Sequence, residues 1–297
     1  MPGSKTPTSL AATYKMLDGR EIPIFGLGVY EMSDGQTRAA VAWALEAGYR
    51  HIDTAEWYEN EGSVGDGLRD FLTSPSGSNV SRQDIFITSK LMHNRGYNET
   101  LQDLRASLSR AGLDYFDLYL LHAPSGGVGL RKDLWRALMD AKKEGLVKSI
   151  GVSNFSPKHI EEIVARGDEL PVVNQIDLHP FMRHKAYVDN CQKHGIILEA
   201  WAPLARAMRF QHPVIETVAD KYSKTPAQVH LRWGLQHGYI VIPKSASRKR
   251  IIENADVFDF ELSAADMEQL DGLDENLITD WDITTRRFTF LMAIHFR

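Results

Sequence analysis

Short apolar runs alternate with longer amphipathic segments along almost the whole chain. Eight runs are largely apolar, as expected of parallel strands that are buried on both faces. They span residues 23–30, 49–54, 85–90, 116–122, 147–153, 172–177, 195–201 and 239–244. The segments between them have helical periodicity, as at 36–47, 98–111, 130–144, 157–166 and 185–193, with boundary signals at Gly145, Pro157 and Gly195.

A strand followed by a helix, repeated eight times, predicts a closed parallel barrel with right-handed crossovers. No linker rich in Pro, Gly and Ser divides the chain, and the loop at 73–79 is too short for a domain hinge. The sequence therefore predicts one α/β domain, a (β/α)8 TIM barrel over residues 14–276. A flexible N-terminal tail is expected at 1–13, and a C-terminal loop or tail without clear periodicity at 277–297.

Polar residues stand at the ends of several predicted strands. Asp53, Lys90 and His122 end three of them, and Tyr58 follows Asp53 by five residues. Catalytic sites of such barrels form where strands end and helices begin. Singly, these residues could be a helix cap, a solvated lysine, a core histidine and a surface aromatic; together they favour an enzyme. Others at or just beyond strand ends are Ser153, Asn154, Gln175, Trp201 and Lys244.

Composition narrows the possible partners. The 297 residues are 43% hydrophobic and 25% charged, which is typical of a globular protein. A formal charge of −5 gives no basic surface for nucleic acid or acidic membranes. The sequence contains no apolar run of about 20 residues, so it predicts no membrane span. With Cys191 alone, no internal disulfide can form, which fits a reducing compartment, and we expect a cytoplasmic protein. We also expect a monomer or a weak homo-oligomer.

Several motifs in order resemble the aldo-keto reductase superfamily over roughly residues 14–276. They are GYRHIDTA at 48–55, LDYFDLYLLH at 113–122 and IPKSASRKRI at 242–251, with GVSNF at 151–155 and VNQI at 173–176. The resemblance implies NAD(P)H-dependent interconversion of carbonyls and alcohols. It also implies a (β/α)8 barrel that has no Rossmann fingerprint and needs no metal.

The catalytic assignment combines this resemblance with the chemistry of the side chains. Hydride addition to a carbonyl leaves negative charge on oxygen, which a nearby acid must protonate. Tyr58 is the expected acid, and the ammonium of Lys90 is expected to lower its pKa. Asp53 would pair with Lys90, an arrangement equally compatible with a structural ion pair. His122 would orient the carbonyl oxygen.

The resemblance also implies a cofactor site. Ser153, Asn154 and Gln175 match positions that bind the nicotinamide carboxamide, and Trp201 one that stacks on the ring. The positions matching those for the 2′-phosphate are Lys244, Ser247 and Arg250, and those for adenine are Glu253 and Asn254; further expected contacts are Gly28, Val29, Leu204 and Ser245. These matches predict NADP(H) in preference to NAD(H), the alternative being a basic helix start with a solvated face.

The expected substrate is a small carbonyl compound, aromatic or medium-sized aliphatic, with sugars left open. Tyr30, Trp57 and Ala123 are the expected pocket residues; Ala123 replaces a bulky aromatic of many relatives and predicts a wider pocket. Trp281 and Phe288 of the tail are further candidates, unless the tail packs on the barrel exterior or mediates self-association. The alternative to a reductase is a nucleotide-binding regulatory subunit of the same fold with little turnover.

Overall fold

The computed structural model describes residues 7–280. Its strands are β1 (Thr13–Lys15), β2 (Glu21–Pro23), β3 (Leu27–Gly28), β4 (His51–Asp53), β5 (Phe86–Leu91), β6 (Phe116–Leu121), β7 (Val147–Ser153), β8 (Val173–Asp177), β9 (Ile197–Trp201) and β10 (Ile240–Val241). Its α-helices are α1 (Asp34–Glu46), α2 (Glu61–Thr73), α3 (Tyr97–Ala111), α4 (Val128–Lys143), α5 (Pro157–Val164), α6 (Lys185–Lys193), α7 (Pro213–Tyr222), α8 (Pro226–Gln236), α9 (Arg248–Ala255) and α10 (Ala264–Asp271). Apart from the first predicted strand, these elements confirm the predicted alternation.

Strands β3 to β10 form one parallel sheet in chain order. Its first and last strands meet through parallel bridges that pair Phe25 with Val241 and Gly28 with Lys244. At this seam the amide of Gly26 donates to the carbonyl of Val241 over 2.9 Å, and the amide of Val241 donates to the carbonyl of Ile24 over 3.0 Å. The sheet therefore closes on itself, and the predicted (β/α)8 barrel in a single domain is confirmed.

The N-terminal end of the barrel is covered by a hairpin that the sequence pattern did not indicate. Strands β1 and β2 pair antiparallel, and Met16 and Ile22 of the hairpin pack on the apolar cluster inside the barrel. The prediction of one strand over 23–30 is wrong, because the segment is divided between β2 and β3. Pro23 ends β2, in keeping with its lack of an amide hydrogen for a ladder.

Residues before the barrel also contact it. The carbonyl of Pro7 accepts a hydrogen bond of 3.1 Å from the buried guanidinium of Arg232. Leu10 packs against the main core, and Thr13 already belongs to β1. Within the segment predicted as a flexible tail, residues 7–13 thus make ordered contacts with the domain.

The inside of the barrel changes character along its axis. Its lower part is apolar, with Phe86, Leu118, Val173, Ile197 and Ile240 in one buried cluster. Above this cluster the inward-facing positions become polar, and they include His51, Asp53 and Lys90. Because buried polar groups need hydrogen-bond or charge partners, the groups at this upper end are expected to contact one another.

Candidate active site

A buried three-residue cluster lies at the carboxyl ends of β4 and β5. The ammonium of Lys90 donates to Asp53 Oδ1 over 2.6 Å, to the carbonyl of Thr54 over 2.9 Å and to the phenol oxygen of Tyr58 over 3.2 Å. The side chain of Lys90 is completely buried. Tyr58 reaches it from a 3-10 turn, Glu56–Tyr58, directly after β4. The structure thus brings together three of the predicted catalytic residues around one ammonium group.

Neighbouring amides hold this cluster in place. Gln175 Nε2 donates to Asp53 Oδ2 over 2.8 Å, so both carboxylate oxygens of Asp53 have a partner. Asn60 accepts a hydrogen bond of 2.8 Å from the Thr54 hydroxyl and donates to the carbonyl of Val29 over 2.9 Å. Through Asn60, the first turn of α2 is tied to the loops after β3 and β4. Asn60 was not among the predicted site residues.

Burial and the ammonium of Lys90 act on the pKa of Tyr58 in opposite directions. Burial raises the pKa of the phenol, and the opposing effect of Lys90 does not cancel it, so the pKa of Tyr58 lies above its ordinary value. Lys90 lowers the pKa of Tyr58, the direction that the sequence analysis expects, but desolvation of a phenolate outweighs one ammonium already shared with Asp53. The phenol carries its proton at neutral pH, as a proton donor must.

The other charges follow from burial and pairing. Burial lowers the pKa of Lys90, but Asp53 and Tyr58 raise it by more, and the ammonium stays protonated. Burial raises the pKa of Asp53, opposed by Lys90 at 2.6 Å. Burial and the charge of Lys90 hold the pKa of His122 well below its ordinary value, so its imidazole is neutral.

A cavity of about 1150 Å³ opens above the cluster. Of the predicted residues, Lys90 lies behind Tyr58, Val29 is fully buried, and Ser247 lies beside the cavity wall rather than in it. Trp281 and Phe288 lie outside the described residues. The remaining predicted residues line the cavity: Gly28, Tyr30, Asp53, Trp57, Tyr58, His122, Ala123, Ser153, Asn154, Gln175, Trp201, Leu204, Lys244, Ser245, Arg250, Glu253 and Asn254.

Amide and indole groups form the middle of the cavity wall. The hydroxyl of Ser153 donates to the carbonyl of Gln175 over 2.8 Å, and Asn154 Nδ2 donates to the carbonyl of His122 over 3.0 Å. Asn154 has a left-handed backbone, with φ of 62°. Trp201 Nε1 donates to Asn154 Oδ1 over 3.0 Å, so the indole is fixed by a hydrogen bond. These hydrogen bonds orient the polar groups of the wall.

One end of the cavity is aromatic. The rings of Tyr30 and Tyr58 lie 4.9 Å apart, and the rings of Trp57 and His122 meet edge to face at 5.9 Å. Sequence reasoning missed several residues in this region: Glu31, Met92, Asn94, Ser125, Arg206, Ala207 and Phe210 from loops that follow the strands, and Asp280 from the segment after α10. Only the general position of such loops in a barrel could have indicated them.

The opposite end is formed by the start of α9 and its surroundings. Lys244 and Ser245 follow β10, and Arg250 stands in the first turn of α9, whose N-cap is Ser247. A helix start with two cations is suited to an anion. The start of α8 completes this end, which the sequence did not indicate, through Thr225, Pro226 and Ala227.

The segment after β9 borders the cavity despite its shortness. Its residues Ala202, Ala205, Arg206 and Ala207 all have positive φ, between 46° and 62°. Arg206 Nη2 reaches Glu31 Oε2 at 2.8 Å, which joins this segment to the loop after β3. Leu204, predicted as a cofactor contact, lies in the same stretch of the wall.

Two kinds of feature are absent from residues 7–280. Among these residues, no group of three or more His, Cys, Asp or Glu side chains is placed to hold a metal ion. Within the same range, no helix has the length and apolar character needed to cross a membrane.

Comparison with known proteins agrees with this geometry. The model of the Aldo/keto reductase family matches residues 24–275. The chain therefore belongs to the aldo/keto reductase family.

Individual relatives extend over nearly the whole chain. A Glyoxal reductase of Bacillus subtilis is 46% identical over 272 residues, 91% of this chain and 95% of the relative. The crystal structure of an aldo/keto reductase from Brucella melitensis has a TM-score of 0.83 at 43% identity and covers 89% of this chain and 99% of that one. A Bombyx mori aldo-keto reductase in complex with NADP has a TM-score of 0.84 at 34% identity, over 91% and 94% of the two chains.

Proposed function

We propose that the protein reduces aldehydes or ketones to alcohols with NADPH, the proton coming from Tyr58. The observation that carries this proposal is the ammonium of Lys90, which is hydrogen-bonded to both Asp53 and Tyr58 at the base of the cavity. Family membership supports the reaction class, and a related enzyme from Bacillus subtilis is a glyoxal reductase.

The cavity suits a long cofactor together with a small substrate. Its volume of about 1150 Å³ exceeds that of an ordinary small-molecule site, roughly 300–1,000 Å³. We expect the carboxamide of the nicotinamide at Ser153, Asn154 and Gln175, and its ring against the indole of Trp201. When bound, the reduced nicotinamide supplies the hydride for the carbonyl carbon. NADP is the ligand in the Bombyx mori relative.

The proton comes from the chain itself. As the carbonyl oxygen gains negative charge, the protonated phenol of Tyr58 is the acid beside it. Lys90 stabilises the phenolate left behind, because its ammonium is 3.2 Å from the phenol oxygen. The imidazole of His122 is neutral. It can therefore donate an N–H hydrogen bond to the same carbonyl oxygen without adding a second cation beside Lys90.

Preference for NADPH over NADH is proposed from the charges at the far end of the cavity. Lys244 and Arg250 line this end together with Asn254. A 2′-phosphate adds negative charge and strong acceptors where the start of α9 presents these cations. Glu253, in the same wall, would contact the adenine.

The test is NADPH consumption with glyoxal, aryl aldehydes, diketones and aldoses, comparing the wild type with Tyr58→Phe. Loss of the phenol proton should lower kcat/KM by at least about 100-fold while the Kd for NADPH stays nearly unchanged. Tyr30→Phe is the matched control, since it removes a phenol oxygen from the same cavity without removing the acid. Equal activity of Tyr58→Phe and wild type would refute the mechanism. Tight NADPH binding with no turnover of the panel by the wild type would point to a regulatory subunit instead.

A further inference from the structure

Glu199 is a buried carboxyl group that the proposed reaction does not use. It stands in the middle of β9, two residues before Trp201, so both side chains face the same side of the sheet, the barrel interior. Its side chain is completely buried. Within residues 7–280, the amide of Gln175 is its weak hydrogen-bond donor, and no cation is hydrogen-bonded to either carboxyl oxygen.

The groups around Glu199 come from several strands. From β4, His51 faces it with Nε2 at 3.7 Å from Glu199 Oε1, and Asp53 stands two residues beyond His51. From β5 comes the ammonium of Lys90, which acts on Glu199 electrostatically. Gln175 on β8 and Ile240 on β10 are its neutral register neighbours.

His51 offers no compensating charge. Burial and Lys90 lower the pKa of His51 to about 3, so the imidazole is neutral. Its Nε2 is also within 3.1 Å of the Thr88 hydroxyl. Burial and the negative charge of Asp53 together raise the pKa of Glu199 to about 8, and Lys90 and the amide of Gln175 reduce this effect without removing it. Glu199 is therefore a neutral acid at neutral pH, whereas Asp53 is the carboxyl group that is paired with the ammonium of Lys90 and hydrogen-bonded to the amide of Gln175.

We propose that Glu199 is a positioning residue for the reductase, whose proton sets the net charge behind Lys90 and thereby how readily Tyr58 gives up its own proton. The inference rests on the proposed function. When Glu199 is protonated, the positive charge of Lys90 is balanced by Asp53 alone and can stabilise a phenolate. When Glu199 has lost its proton, the interior already holds two carboxylates, and a phenolate would be a third anion around one ammonium.

The ionisation of Glu199 should affect carbonyl reduction and alcohol oxidation in opposite ways as the pH changes. Carbonyl reduction needs the phenol form of Tyr58, and alcohol oxidation needs the phenolate form. Ionised Glu199 raises the proton affinity of Tyr58. Above neutral pH it therefore favours reduction and moves the onset of alcohol oxidation to higher pH. Glu199 itself titrates together with Asp53, the other carboxyl group of the interior.

The deciding variant is Glu199→Gln, which keeps the size of the side chain and removes its ionisation. We expect the alkaline rise of alcohol oxidation to move to lower pH by about one unit, because one nearby negative charge is gone. Glu199→Asp should keep the wild-type form of the profile. Thr88→Val is the matched control: it changes a polar neighbour of His51 without a titrating group, and its profile should match the wild type.

A second measurement needs no turnover. Wild-type protein with 13C-labelled glutamate carboxyls, free of cofactor, should show one carboxyl signal titrating near pH 8 that is missing in Glu199→Gln. A signal of Glu199 that titrates at its ordinary value overturns the proposal, even if the glutamine variant does not fold. So does a glutamine variant whose melting temperature changes while its pH profile stays in place. Absence of turnover in the wild type would instead refute the proposed function.

Discussion

Lys90 is a cation without access to solvent, and its three hydrogen-bond acceptors explain how the protein tolerates it. A buried charge is costly unless paired, and here the pairing and the proposed catalysis use the same atoms. Stability and activity should therefore respond differently when the two charges are removed singly or together.

For Lys90→Met we expect loss of reductase activity and a fall in the free energy of unfolding of about 3–5 kcal/mol, because Asp53 is left buried without its cation. The double variant Asp53→Asn with Lys90→Met should recover most of that stability and none of the activity. Urea unfolding and NADPH turnover measure the two quantities. A double variant less stable than Lys90→Met would show that the pair is not the source of the loss.

Glu199 should make stability depend on pH in the opposite sense to an ordinary carboxylate. Its pKa is about 8 in the folded protein and 4.5 as an unperturbed group, so its stabilising contribution is complete below 4.5 and is lost as the pH rises towards 8. Within this window, the free energy of unfolding falls by about 1.4 kcal/mol for each unit of pH.

Relative to the wild type, Glu199→Gln should therefore gain roughly 4 kcal/mol of unfolding free energy between pH 5 and pH 8. Chemical denaturation at both pH values measures this difference, and Thr88→Val serves as the control with no pH-dependent gain. A difference that stays constant between the two pH values would contradict the raised pKa.

At the scale of elements, the strand ends and the start of α9 carry most of the site. Position alone indicated Asp53, Lys90 and His122, because polar groups that follow apolar strands collect at one end of a barrel. The same pattern could not reveal Asn94, Arg206 or Thr225, which reach the cavity from loops and helix starts whose paths depend on tertiary packing. Nor could it show that burial outweighs Lys90 at Tyr58, since desolvation is a property of the folded chain.

The start of α9 offers a test of cofactor preference. Arg250→Ala should raise the Kd for NADPH roughly tenfold and leave that for NADH nearly unchanged, since a charged hydrogen bond to the extra phosphate is lost. Arg248→Ala is the matched control: this neighbouring arginine pairs with Glu46 over 3.1 Å and does not line the cavity. Fluorescence titration of both nucleotides gives the comparison. Equal losses for NADPH and NADH would argue against a 2′-phosphate contact.

For the whole molecule, the seam between β3 and β10 decides whether the sheet is a barrel. A Cβ added to Gly28 would lie 2.9 Å from the carbonyl oxygen of Ile242, so only glycine allows the strands to approach this closely. The repeat of strands and helices predicted closure, but the sequence did not show which atoms make it or that a hairpin covers the opposite end.

Gly28→Ala should accordingly lower the unfolding free energy by roughly 1–3 kcal/mol, because the seam must widen. Gly35→Ala is the matched control, since nothing lies within 4 Å of a Cβ at that position of α1. Thermal unfolding of the two variants compares them directly. If Gly28→Ala were as stable as Gly35→Ala, the seam would accommodate the added methyl group without strain.

The closure of the barrel also bears on its synthesis. The bridge partners Gly28 and Lys244 are separated by most of the chain, so the seam cannot form until the ribosome has released the last strand. Until then β3 is an unpaired edge, the kind of surface at which nascent chains associate wrongly. The start of α9 is translated later still. The proposed nucleotide site, which includes Asn254 of α9, can therefore be complete only after this helix has left the ribosome.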